Sequence, residues 1–318
     1  MNFQQLRSVR ETVRQGFNLT TVAEALHTSQ PGVSRQIREL EDELGVEIFV
    51  RAGKRLTGLT APGETALRII ERLLQEADNL KRAGEDFASA GRGVLTIAAT
   101  HSQARYALPS AVRDFSRLNP EVSLRLHQGS AKQVAELLLA GEADIGVATE
   151  ALTSYDDLVA LPCYRWTHVV IVPADHALAQ EAARGERLTL KRLALFPIVT
   201  YEPGTTGRSH IDEAFQSAGL RANLVLSAMD ADVIKTYVEL GLGVGIIASI
   251  AYDEARDVTL RAIDAGHLFA TNMTRIAVRR GAYLRDYAYA FIQTFAAPLE
   301  RALVERALAA PPGTPIDL

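Results

Sequence analysis

The chain holds one cysteine, Cys163, among 318 residues. It can therefore form no internal disulfide and no cysteine-based zinc site. Such sparing use fits a reducing compartment. No run of eighteen or more apolar residues is present, so no transmembrane helix is expected. The opening residues, MNFQQLRSVRETVRQGF, lack the apolar core of a signal peptide, and the expected location is cytoplasmic. An excess of one charge is missing too: 34 basic residues face 38 acidic ones, a net charge of −4. Bulk charge gives no pointer to nucleic acid, so any such function must come from a local arrangement. There is no internal repeat and no low-complexity block. With 47% apolar and 23% charged residues, the chain is neither collagen-like nor disordered. Its length suits two domains or three small ones.

Catalytic constellations are also missing. No G-x-S-x-G elbow occurs, and His101 beside Ser102 is an arrangement that seldom brings base and nucleophile together. Asp230 and Asp232 have no further carboxylate or histidine at metal-ligand spacing, and Asp230 reads as a helix cap. Gly241-Leu242-Gly243-Val244-Gly245 follows a helix and misses the dinucleotide-loop spacing, so a helix stop with close packing is the better reading. Cys163, after Pro162, reads as a packed thiol. No cofactor, metal or enzymatic activity is expected.

What is present begins with a helical bundle over 1–60. Phe3, Leu6, Val9, Val13 and Phe17 recur at helical spacing. Asn18-Leu19 breaks that pattern, and Thr21 with Glu24 reads as a capping box opening a second helix through Leu26. His27 to Gln30 is a turn, and Pro31 suits the first position of a third helix. That helix carries Val33, Ile37, Leu40 and Leu44 on one face and stops at Gly45. Two short strands around Ala52-Gly53-Lys54 complete a β-hairpin, or wing. Burying the apolar face leaves Gln30, Ser34, Arg35 and Arg38 outward, the side-chain types that read base edges. Pro31 sits at the same helix start, whose N–H groups and dipole favour phosphate. The wing adds Arg51, Lys54 and Arg55 for backbone or minor groove. Residues 1–60 hold eight basic and seven acidic side chains, so placement decides: Glu39, Glu41, Asp42, Glu43 and Glu47 gather toward the other end of the third helix.

Residues 61–87 read as a long helix. Ala66, Ile70, Leu73, Ala77, Leu80 and Phe87 alternate four and three apart, with Gly84 in one weak slot, a period that asks for a partner helix. The small, glycine-rich stretch 88–93 reads as a hinge. Strand and helix then alternate: strands at 94–99, 122–127 and 145–148, with helices at 107–118 and 131–140. This predicts a parallel sheet with helices on both faces. A second unit begins near Val169, and 274–296 returns to the first. The proline-rich tail 309–318 is expected to be disordered.

Ligands in such sheets bind where strand carboxyl ends meet. Thr100, Ser102 and Gln103 follow the first strand, and Thr149 follows the third. Thr200 and the loop from Glu202 follow a strand of the second unit, and Gly129-Ser130 opens a helix. Hydroxyls and helix-start N–H groups hold a small anion without a formal positive charge. Taken singly, Ser130 is a helix cap first.

The stretch Ala23-Glu24-Ala25-Leu26-His27-Thr28-Ser29-Gln30-Pro31-Gly32-Val33-Ser34-Arg35-Gln36-Ile37, continuing to Leu44-Gly45, resembles the N-terminal domain of LysR-type transcriptional regulators. The resemblance covers the whole chain. Thr100 to Tyr106, Gln128-Gly129-Ser130, Ala148 to Leu152, Leu161 to Tyr164, Thr206 to Ser209 and Asp230 to Tyr237 are most similar to the CysB-like branch. The resemblance implies an α/β chain in these parts: a winged helix-turn-helix (1–60), a dimerisation helix (61–87), a hinge (88–93) and a two-lobed, type II periplasmic-binding-protein-like effector domain. Lobe I would be 94–162 with 269–298, and lobe II 163–268. It implies a regulator, mainly an activator, of sulfur assimilation. The implied partners are operator DNA, a second copy in a dimer of dimers, and RNA polymerase. The implied effector is acetylserine or sulfate, or adenosine phosphosulfate in the sulfonate-type relatives. Ser102 stands where CysB-like sequences have threonine. Glu202 stands where they offer a neutral group, and a carboxylate beside an anion costs energy unless it points away. The competing class is a two-lobed small-anion binder or enzyme whose N-terminal bundle only oligomerises. The missing signal peptide and nucleophile–base pair count against it.

Overall fold

The computed structural model describes residues 1–53, 55–89, 91–311 and 314. The chain divides into two compact units, Met1–Ala88 and Ser89–Leu318.

In the first unit, helices α1 (Phe3–Arg14), α2 (Leu19–Ala25) and α3 (Gln30–Leu44) precede a hairpin of β1 (Phe49–Ala52) and β2 (Arg55–Leu59); α4 (Ala61–Ser89) follows. Helix α2 starts earlier than the Thr21–Glu24 reading placed it. The Asn18 side chain accepts from the N–H groups of Thr20 and Thr21 and caps it, so Asn18 opens the helix and does not break it. Ser29 caps α3, with Pro31 in its first turn, and Gly45 closes it at φ +69°. Val33, Ile37 and Leu40 are buried with Val9, Val22, Ile48 and Phe49. Leu44 is not buried with them; it stays 45% exposed, because α3 has run past the core by its last residue. Along α4, Ile70 and Leu74 pack into this same core, whereas Leu80 and Phe87 are 76% and 89% exposed.

The second unit opens with β3 (Gly93–Ala99), a π-helical turn over Gln103–Ala107, α5 (Leu108–Leu118), β4 (Val122–Gln128), α6 (Ala131–Ala140) and β5 (Ile145–Thr149). A 3-10 turn leads to β6 (Leu158–Trp166) and on to β7 (His168–Pro173), α7 (Ala177–Ala183), α8 (Leu190–Leu193) and β8 (Ile198–Tyr201). Then come α9 (Thr206–Ser217), β9 (Leu224–Ala228), α10 (Ala231–Glu239), β10 (Val244–Ala248), β11 (Leu260–Asp264), β12 (Asn272–Arg279), α11 (Asp286–Phe295) and α12 (Arg301–Ala309). Two five-stranded sheets result, ordered β4-β3-β5-β12-β6 and β11-β7-β10-β8-β9.

Both sheets are mixed, not wholly parallel. In the first, β4, β3 and β5 run parallel while β12 is antiparallel to β5 and β6; in the second, β7 is antiparallel to β10 and β11. The two returning segments, β6–β7 and β12, impose this. Lobe I also extends further than the boundaries at 162 and 298. Strand β6 pairs with β12 as far as Trp166, and α12 adds Val304 and Ala307 to the lobe I core. Pro162 made the strand hard to read, because proline cannot donate to a ladder. It is tolerated because β6 is an edge strand and the register slips at Cys163. Of the tail, Ala309 belongs to α12, and residues 312, 313 and 315–318 lie outside the described residues. The interval between α4 and β3 is shorter than the expected 88–93 hinge, since the helix runs to Ser89 and the strand starts at Gly93.

Each sheet is covered on both faces. Phe115 of α5 and Phe291 of α11 meet edge to face at 5.4 Å over one side of the lobe I sheet, and α6 covers the other. In lobe II, α10 lies on one side and α9 on the other. The glycine run 241–245 serves packing. Gly241 ends α10 at φ +78°, and a Cβ on Gly243 would lie 2.4 Å from the Pro197 carbonyl.

Candidate functional site

In the first unit, Gln30, Pro31, Arg35, Arg38, Arg51 and Arg55 are exposed and Ser34 is half-buried; Lys54 lies outside the described residues. Arg35 Nε holds Glu39 Oε1 at 2.7 Å one turn away. Such an exposed pair is weak, so it yields readily to a base or phosphate. Arg51 differs. Its guanidinium meets the carboxylate of buried Glu41, which also accepts the N–H groups of Ile48 and Phe49. Glu41 is therefore a tie between α3 and the wing, not part of a solvated acidic cluster.

In the second unit, a cleft lies between the two lobes where β3, β5 and β8 end. Thr100 follows β3, and its carbonyl accepts the Ala104 N–H, opening the π-helical turn. Ser130 caps α6 in a reciprocal box with Gln133, and Thr205 caps α9 through the Arg208 N–H. Three helix starts thus face one space. Thr100, Ser102, Gln103, Gly129, Ser130 and Thr149 line it from lobe I, and Thr205, Thr206 and Gly207 from lobe II. No Asp, Glu, Lys or Arg is among the described lining residues, so its field comes from helix ends, which favour an anion. The space is about 90 Å³. A 2.6 Å hydrogen bond between the Thr149 and Thr206 hydroxyls, one from each lobe, spans it.

Two expected residues do not line it. Thr200 is fully buried, and its hydroxyl donates to the Ile246 carbonyl inside the lobe II sheet. A strand alternates sides, so Tyr201 faces the cleft in its place. Glu202 is exposed and absent from the lining, so its carboxylate does not oppose an anion there. Trp166, Tyr201, Gly207 and Met229 were missed. Trp166 could be found only by seeing β6 as a strand. Thr205 was legible as the cap before Gly207.

Arg105 and Tyr106 join the lobes outside the cleft. Both donate to Asp232 of α10, at 2.9 and 2.6 Å. Lys235 lies 5.1 Å from the Tyr106 ring centre and holds Asp257 at 3.0 Å. Burial alone would raise the Asp232 carboxyl, but hydrogen bonds from Tyr106 and Arg105 and the Lys235 charge outweigh it and hold it low. Burial pushes the Cys163 thiol up to about 12. Among the described residues no cluster could hold a metal, and no helix is long and apolar enough to cross a membrane.

Residues 3–64 match the family described as bacterial regulatory helix-turn-helix protein, lysR family, and residues 88–299 match the LysR substrate binding domain. The chain belongs to the LysR family of transcriptional regulators. It is 55% identical over 302 residues to the HTH-type transcriptional regulator SsuR of Burkholderia cenocepacia, covering 95% of this chain and 97% of that one. It is 54% identical over 308 residues to CysB of the same organism, covering 97% of each. The crystal structure of the cofactor-binding domain of the Cbl transcriptional regulator, 46% identical, superposes with a TM-score of 0.64 over 68% of this chain and 93% of that one. Family and relatives alike are regulators and not enzymes.

Proposed function

We propose that this LysR-type regulator controls sulfur-assimilation genes, mainly as an activator. In this reading it works in the cytoplasm and senses a small anionic sulfur metabolite in the cleft between its lobes. The observation that carries the reading is a cleft free of formal charge, lined by hydroxyls, on which three helix starts converge. Its size narrows the effector. About 90 Å³ is far below the roughly 300–1,000 Å³ of pockets for drug-sized ligands. Sulfate or thiosulfate fits this space; adenosine phosphosulfate needs more room between the lobes than the Thr149–Thr206 bridge leaves it here. Acetylserine lies between the two. A ligand shifts the lobes only by its different affinity for the open and closed arrangements.

A thermal-shift series with sulfate, thiosulfate, acetylserines and adenosine phosphosulfate tests this, because a ligand of the folded state raises the melting temperature. Thr100→Ala should cut the shift given by the true effector and leave operator binding intact. Wild-type affinity in the variant, measured by calorimetry, would put the ligand elsewhere.

Gln30, Ser34, Arg35 and Arg38 read the major groove in this proposal, with Arg55 on the backbone. Arg35→Ala should weaken operator binding by about 1–3 kcal/mol, several times what the Glu39 pair can hold back. Unchanged sequence preference in gel shifts would count against that role. Exposed Leu80 and Phe87 on α4 support a dimer through this helix, assembled as a dimer of dimers that also contacts RNA polymerase.

A further inference from the structure

Gln103 enters the cleft from the π-helical turn, yet it is only 1% exposed. Both ends of its amide are held from behind. The Tyr164 hydroxyl donates to Oε1 at 2.5 Å, and Nε2 donates to the fully buried Thr274 hydroxyl at 3.0 Å. These distances suit this orientation of the amide. An O–H···O bond reaches 2.5 Å, whereas N–H···O bonds fall at about 2.7–3.2 Å. A flipped amide would press an N–H donor against the phenol oxygen. Burial raises the Tyr164 phenol, so its proton stays available for donation. With Oε1 turned back to Tyr164 and one N–H on Thr274, the amide keeps its second N–H for the cleft.

We propose that Tyr164 and Thr274 are positioning residues that lock the Gln103 amide as a donor, so that the site selects a fully deprotonated oxyanion, sulfate over phosphate. This rests on the reading of the cleft as an anion site. Near neutral pH inorganic phosphate keeps at least one proton, which needs an acceptor, and sulfate keeps none. Helix-start N–H groups only donate. The hydroxyls of Thr100 and Ser102 serve either way. The amide is thus a lining group whose polarity its neighbours decide, and an amide free to turn would offer Oε1 to the phosphate O–H.

The test is calorimetric titration of the full-length protein with sodium sulfate and with sodium phosphate, at pH 7 in chloride buffer. The wild type should prefer sulfate. Tyr164→Phe keeps the ring packed near Phe295 and removes only the hydroxyl. It should lower sulfate affinity about tenfold, as expected for a hydrogen bond to a charged group, and shrink the sulfate-to-phosphate preference. A purely structural role would weaken both anions alike. If Tyr164→Phe fails to fold, Thr274→Val against Thr274→Ser poses the same question, with loss of preference expected only for valine. A wild type that binds both anions equally, or an unchanged preference in Tyr164→Phe or Thr274→Val while Thr100→Ala loses sulfate, overturns the amide lock and leaves the anion site standing. A wild type that binds neither anion overturns both.

Discussion

Glu41→Ala lowers the stability of the DNA-binding unit by about 3 kcal/mol and abolishes operator binding. The reason is local. Glu41 Oε1 accepts the Ile48 N–H at 2.9 Å and the Phe49 N–H at 3.2 Å, and both of those residues are fully buried. Each buried N–H left without a partner costs about 1–3 kcal/mol. The same truncation frees Arg51, whose guanidinium holds the other carboxylate oxygen. The wing then loses its anchor to α3, and with it the fixed spacing between reading helix and hairpin. Glu41→Gln separates the two contributions. It keeps an acceptor for the two N–H groups and gives up only the ion pair, so a loss of about 1 kcal/mol is expected. Urea unfolding of the N-terminal transition, run alongside gel shifts, measures both. Equal stability in wild type, Gln and Ala variants would show that the wing is held by its core residues alone.

This contact illustrates where sequence reading stops. Val33, Ile37 and Leu40 announced their face of α3 by spacing, and Gly45 announced its end. Both are local signals, and both are found in the fold. Glu41 belongs to the same helix, but its partners lie seven to ten residues on. A charged residue buried through non-local hydrogen bonds looks the same on paper as one on a solvated face. The cleft divides the same way. Thr100, Ser102, Gln103 and Thr149 were legible because strand ends and helix starts mark themselves. Thr200 was misplaced by one residue, since alternation along a strand turns a one-residue error into the opposite side of the sheet. Trp166 was hidden by Pro162, and Tyr106–Asp232 by a separation of 126 residues.

His168 carries the second large effect, and it is a pH effect. The imidazole opens β7, is fully buried, and stands edge-on to Trp166 at 5.4 Å and Phe269 at 5.3 Å. Neither ring nitrogen has a hydrogen-bond partner among the described residues. Burial, and then the nearby His210, depress it from 6.5 to about 4; a contact with the Gly207 backbone, outside hydrogen-bond geometry, pulls weakly the other way. The sign follows. Above pH 6.5 the ring is neutral whether folded or unfolded and contributes nothing to the pH slope. Between pH 6.5 and 4 the unfolded chain takes up a proton that the fold refuses. Stability therefore falls as pH falls, by about 1.4 kcal/mol per unit, reaching roughly 2 kcal/mol at pH 5 and about 3 kcal/mol at pH 4. For a unit of this size, 2 kcal/mol is about 4–8 °C in melting temperature. Other groups add their own pH slope, so the decisive quantity is a difference. His168→Gln should lose about 2 kcal/mol less than wild type between pH 7 and pH 5, in buffers free of sulfate and phosphate. If the two proteins lose the same amount, the ring is reached by water or by a partner.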